Sequence, residues 1–159
     1  MPAAQTPTAS APVVTAAFLM NFVKFVEWPV DVLASEAPVV MCIADPAVAD
    51  ALKGSLDRAP AGARAVHVLR VAPGAVPVEC GVLYVTGLDA RRIPIVIAAL
   101  GGRSVLSVSD APDFARQGGT IQLFLEDGRM RVAINPQAAD RARLRVSSRL
   151  LNLAVIVKE

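Results

Sequence analysis

The sequence predicts an α/β domain with a mostly parallel central sheet and a C-terminal β-hairpin, and three observations carry that expectation. Val39 to Ala44 is a short, continuously apolar run, as a strand buried on both faces requires. Stretches of helical spacing alternate with strand-like runs along the chain. Glu126-Asp127-Gly128-Arg129 lies between two alternating runs, and Asp-Gly supplies the positive φ angles of a tight hairpin turn.

Val13 to Trp28 is apolar around most of its circumference, with Thr15, Asn21, Lys24 and Glu27 as a narrow polar stripe. That pattern predicts a largely buried helix stopped by Trp28-Pro29. Phe18, Phe22 and Phe25 fall on one face of it and read as core before they read as interface. Asp45-Pro46 suits an N-cap followed by the first helical position, so a helix is predicted over about Pro46 to Leu56. Strands follow at about Arg64 to Val71 and Gly81 to Thr86, joined by an irregular crossover because Pro73, Gly74 and Pro77 exclude a full helix there.

Asp89 to Leu100 reads as a helix that starts late because of Pro94 and closes at Gly101-Gly102. Beyond it the pattern gives a strand at Ser104 to Val108, a short helix at Pro112 to Gln117, and strands at Thr120 to Leu125 and Arg129 to Ile134. Asn135-Pro136 then caps one final helix running to about Val157, with Leu144, Leu151 and Val155 on one side and Arg141, Arg143, Arg145 and Arg149 crowding its first half. No period of a solenoid or propeller repeats.

At 159 residues the chain makes one domain with a real core, and 54% hydrophobic residues against 4% aromatic make that core aliphatic. Sixteen basic residues against 14 acidic ones are too balanced to make nucleic acid the main partner. The longest apolar candidate, Val13 to Val26, is interrupted by Thr15, Asn21 and Lys24 and is no membrane span. Residues 1–12, MPAAQTPTASAP, read as a disordered leader after a removed signal peptide, with Met1 added, and residues 13–159 as the domain. Cys42 and Cys80 are the only cysteines, without C-x-x-C or a histidine to complete a zinc site; a bridge and two separate buried thiols both remain open on the residues alone.

Catalytic equipment is sparse. Neither a dinucleotide fingerprint nor a P-loop occurs, and the turn after the first strand, Ala44-Asp45-Pro46-Ala47, has no glycine for a phosphate to approach. The single histidine, His67, sits mid-strand without a nucleophile beside it, so no enzyme activity, metal or cofactor is expected. Ser107, Ser109 and Asp110 end a strand where an open α/β sheet takes ligands, although a plain Asp cap explains Asp110 as well. The arginine run reads first as a solvated helix face and second as a surface for carboxylate or phosphate, with Ser147 and Ser148 in reach. The candidate partner- or ligand-binding set is Asn21, Lys24, Trp28, Ser109, Asp110, Arg145, Ser147, Ser148 and Arg149.

The string FLMNFVKFVEWP, Phe18 to Pro29, resembles the opening helix of the YfiR family, in which Asn and Lys stand among aromatics before Glu-Trp-Pro. The resemblance continues through Val105 to Asn135 and through Leu144 to Ala154. It implies a periplasmic, three-layer α/β sandwich that forms homodimers and binds the periplasmic region of a membrane-anchored diguanylate cyclase, holding it inactive and lowering cyclic di-GMP. It also implies a disulfide, here joining Cys42 to Cys80 across neighbouring strands. Some members carry a second bridge near the hairpin; Asp113 to Met130 contains no cysteine, so regulation through that bridge is not expected here. The other expectation is a periplasmic sensor for a small anionic metabolite, bound near Ser109, Asp110, Ser148 and Arg149 and serving another membrane protein.

Overall fold

A computed structural model describes residues 5–159, with side chains described from residue 11 onward. Helix α1 (Gln5–Phe25) turns Ala16, Leu19, Phe22 and Val23 inward and leaves Asn21 and Lys24 in solvent, as its polar stripe predicts, whereas Thr15 of that stripe is buried. It reaches back through Pro12 into the segment expected to be a leader; residues 1–4 lie outside the described ones. The helix ends before Trp28, and Val26–Glu27 form a short strand, β1.

The central sheet is built from β2 (Val39–Ile43), β3 (Val66–Arg70), β4 (Val82–Val85), β5 (Leu106–Ser109), β6 (Ile121–Glu126), β7 (Arg129–Ile134) and β9 (Val155–Ile156), in the order β3-β2-β4-β5-β6-β7-β9. A separate two-stranded ladder joins β1 to β8 (Arg145–Val146). Only the β6–β7 hairpin is antiparallel within the large sheet, so the fold class predicted from the sequence is correct. Asp127 and Gly128 take φ of 53° and 77°, the two positive angles that let a two-residue turn follow the twist of its strands.

Alternation along each strand divides the interior into two layers. On one face Met41, Ile43, Tyr84, Val108 and Ile121 meet α1 and α2 (Pro46–Asp57), whose Val48 and Leu52 are buried. On the other face Cys42, Leu83 and Val85 meet Val96 and Leu100 of α3 (Ile93–Leu100), and Ile93 packs with Ala111 and Phe114. The result is a three-layer sandwich. Asp45 caps α2 by accepting from the Ala47 amide at 3.0 Å, as Asp-Pro predicts. Gly101, with φ of 56°, terminates α3.

Cys42 and Cys80 are joined, with Cα atoms 5.8 Å apart. Parallel pairing of β2 with β4 brings them together, because Cys42 lies opposite Leu83 and Cys80 stands just before β4. Trp28 locks the same corner: its Nε1 donates to the Gly81 carbonyl at 3.0 Å, and a Cβ on Gly81 would come within 3.3 Å of Val39.

Two predicted helices are corrected. Residues 110–119 form a chain of turns rather than a helix over Pro112 to Gln117, because Asp113 takes φ of 66° and drives Phe114 into the core. The single final helix from Pro136 to Val157 is instead α4 (Pro136–Arg141), β8, α5 (Ser148–Leu151) and β9. Helix α4 stops because Arg143 turns left-handed at φ of 60°, while the Leu144 amide reaches back to Ala139 O and the Arg143 amide to Asp140 O. This is a Schellman closure without its usual glycine, and it buries Leu144.

Asn135 ties these corrected segments together. Fully buried, it accepts from the Ala138 amide and donates through Nδ2 to Ala115 O at 2.7 Å and to the Glu159 carboxylate at 2.8 Å. Arg141 pairs with the same carboxylate and holds it below the ordinary carboxylate range, with Asn135 acting in the same direction.

Three expectations follow. Replacing both Cys42 and Cys80 with Ala removes a bridge between residues 38 apart, and the unfolding free energy from urea titration is expected to fall by about 4 kcal/mol. Gly119→Ala would place a Cβ 2.1 Å from the Phe114 ring, so Phe114 must move and the same titration should register a loss of about 1–3 kcal/mol. The lowered Glu159 carboxyl stabilises the fold above the unfolded value of 4.5, and that contribution disappears as pH falls through the lower folded value. The hydrogen-exchange protection factor of the Val157 amide, which bonds Ile134 O, should therefore fall in acid in the native chain and lose that dependence in Glu159→Gln.

Candidate functional site

The C-terminal end of α1 and its middle each border a cleft. Thr15 and Lys24, one in each lining, stand nine residues apart on the helix, about 13 Å of axial rise. The candidate residues read from the sequence divide between these two places.

At the C-terminal end of α1 a cleft of about 630 Å³ opens against α4 and the β1–β8 ladder. Its floor is apolar, from Phe25, Leu144 and Leu151. Its rim carries both charges: Lys24 and Arg145 stand with Glu27 and Asp140. The ladder sets Glu27 directly opposite Arg145, and the Ser147 amide donates to Phe25 O at 2.7 Å, fixing the start of α5 to the end of α1. Ser147 caps α5 by accepting from the Arg149 amide at 3.1 Å, which leaves Ser148 and Arg149 exposed beside the cleft. Asn21 is exposed one turn before Lys24.

The arginine run does not form one face. Arg141 is paired with Glu159, and Arg143 with Asp31 at 2.9 Å, a bidentate contact that lowers the Asp31 carboxyl. Arg145 and Arg149 make no ion pair among the described residues and are the cations left for a partner. Trp28 does not reach this surface: it is 6% exposed, bonded to Gly81 and covered by the Arg64 guanidinium 5.9 Å from its ring. Burial of its ring makes it a structural wedge in place of the contact residue expected.

Ser109 and Asp110 lie elsewhere, at the carboxyl end of β5. Ser109 is fully buried and accepts from the Ala111 amide at 3.1 Å, so its hydroxyl supports the turn. Asp110 is exposed, accepts from the Thr86 hydroxyl at 2.9 Å and lines the second cleft. The anion site expected from Ser109, Asp110, Ser148 and Arg149 is therefore not assembled, because α5 adjoins the C-terminal end of α1 and Asp110 its middle.

Sequence reasoning missed Glu27, Asp140 and Leu144 on the first cleft, and Asp45, Tyr84 and Thr86 on the second. Glu27 was visible in the polar stripe of α1. Asp140 and Leu144 join the cleft only because the chain reverses at Arg143, which no glycine announces. His67 is exposed on the edge strand β3, away from both linings. No group of acidic, histidine or cysteine side chains among the described residues could hold a metal ion, and no described helix is long and apolar enough to cross a membrane.

Among solved structures, the chain is similar to a conserved domain protein from Vibrio cholerae O1 biovar eltor str. N16961, with a TM-score of 0.56 and 15% identity over 93% of this chain. It is also similar to an ABC domain in complex with L-Trp from Streptococcus pneumonia, with a TM-score of 0.52 and 11% identity over 87% of this chain. It spans only 60% and 61% of those two chains, and at such identities the likeness is one of fold. No curated protein sequence matches. The model of the YfiR/HmsC-like family matches residues 12–155, from Pro12 within α1 through the start of β9, and the chain belongs to that family.

Proposed function

We propose that this protein is an exported regulator that binds the periplasmic region of a membrane-anchored diguanylate cyclase and holds it inactive, lowering cyclic di-GMP. Membership of the YfiR/HmsC-like family supports regulation of that signalling, and the Cys42–Cys80 bridge fits an oxidising compartment such as the periplasm. The cleft at the end of α1 carries the reading. It joins an apolar floor to Arg145, with Arg149 beside it, two cations that make no ion pair among the described residues, which is what an acidic-rimmed protein segment needs for docking.

Restraint asks little of one interface. Holding a cyclase at about 1% activity needs a preference of about 2.7 kcal/mol for the restrained state. No bond is made or broken, in keeping with a fold whose single histidine is isolated on an edge strand. A homodimer accompanies this reading, supported by Leu153, Val155 and Ile156, which are exposed at and beside the outermost strand β9.

Capture from a detergent extract of inner membranes, with the bound proteins identified by mass, tests the proposal. The native chain should retain a diguanylate cyclase, and Arg145→Glu and Arg149→Glu should each weaken retention about tenfold. Arg91→Glu, on the exposed lead into α3, should leave it unchanged. Capture without any cyclase, or equal capture by all four proteins, would contradict the proposal.

A further inference from the structure

Beneath the middle of α1, at Ala11 to Thr15, the parallel strands β2, β4 and β5 end, and with the β6–β7 hairpin they enclose a second cleft of about 840 Å³. That is the size of a small-molecule site and the edge of an open α/β sheet where ligands bind. Val48, Leu123, Leu125 and Met130 give it apolar walls, and Asp45 and Asp110 give it charge. We propose that this cleft binds a small organic cation, an ammonium group carried on an apolar body.

The sign of the charge carries the inference. Among the described residues two carboxylates line the cleft, while no Lys, Arg or His does. The first basic residue of the sequence is Lys24, which lines the other cleft. An anion placed here would meet two negative groups in a partly enclosed space; an ammonium would meet two acceptors.

Both carboxylates are held in place by donors that leave their charge unneutralised. Thr86 donates its hydroxyl to Asp110 Oδ2, and the Ala47 amide donates to Asp45 Oδ1. Neither forms an ion pair among the described residues. Tyr84, 3% exposed and between them in the lining, has its hydroxyl pushed up to about 12, first by burial and then by the negative charge of Asp110. It therefore remains a neutral phenol near pH 7, able to face a cation without adding or removing charge.

This site is separate from the proposed cyclase contact, which lies at the C-terminal end of α1. Isothermal titration and amide shifts of the native protein with 2-phenylethylamine, 2-phenylethanol and 3-phenylpropionate, three probes of similar shape and different charge, test it. The amine should bind with Kd at or below about 1 mM, shifting the amides of Tyr84, Thr86 and Asp110, and the alcohol and the carboxylate should bind at least about tenfold more weakly. Asp110→Asn and Asp45→Asn keep the acceptor oxygens that Thr86 and Ala47 use, and each should cut amine affinity about tenfold at an unchanged melting temperature. Should either variant fold poorly, the native protein's affinity for the amine should still fall as sodium chloride is raised. Equal binding of the carboxylate or the alcohol, no amine binding at about 10 mM, or affinity insensitive to both variants and to salt would overturn the assignment.

Discussion

Burial of α1 against one face of the sheet is the constraint on which the rest depends. Leu19 and Phe22 are fully enclosed there and Val26 nearly so, each contributing about 1.5–3 kcal/mol of transfer free energy. Phe18 packs its ring against Phe22 at 6.2 Å, adding a tilted aromatic pair to the same seam. The seam thereby fixes two stretches of the helix: its C-terminal end receives α5 through the Phe25 carbonyl, and its middle, Ala11 to Thr15, roofs the carboxyl ends of the parallel strands. The two clefts are thus consequences of a single packing event.

The sheet's far side is held by a different means. There the disulfide, α3 and the turns around Phe114 cover the second face, and Asn135 connects those turns to α4 and to Glu159. This buried amide is one polar group doing the work of three local contacts, so the geometry of the cleft beside α4 is set by hydrogen bonds as well as by apolar packing. Exposed pairs such as Arg131–Glu126 and Arg143–Asp31 add little by comparison, since both partners remain largely in water.

Much of this was legible from residue patterns. The strand at Val39, the Asp45-Pro46 cap, the late start of α3 with Pro94 in its first turn and the Asp127-Gly128 turn are local signals, and local signals survive folding unchanged. The disulfide was legible only through the family resemblance, because spacing along a chain says nothing of which strands become neighbours. The C-terminal third was misread where the backbone turns left-handed at Asp113 and Arg143, residues whose side chains do not advertise that conformation. The candidate site inherited that misreading: an arginine face presumed continuous is divided by the reversal at Arg143, so Arg141 and Arg143 pair within the chain while Arg145 and Arg149 do not.

Under the proposed reading the chain acts by binding, and its influence on a cyclase is then saturable and stoichiometric, a shift in population set by occupancy. The most direct measurement is the rate of cyclic di-GMP synthesis by the membrane-anchored cyclase in reconstituted vesicles as this protein is added on the periplasmic side. The account expects synthesis to fall and level off near one regulator per cyclase; a rate that stays constant at saturating protein would contradict it.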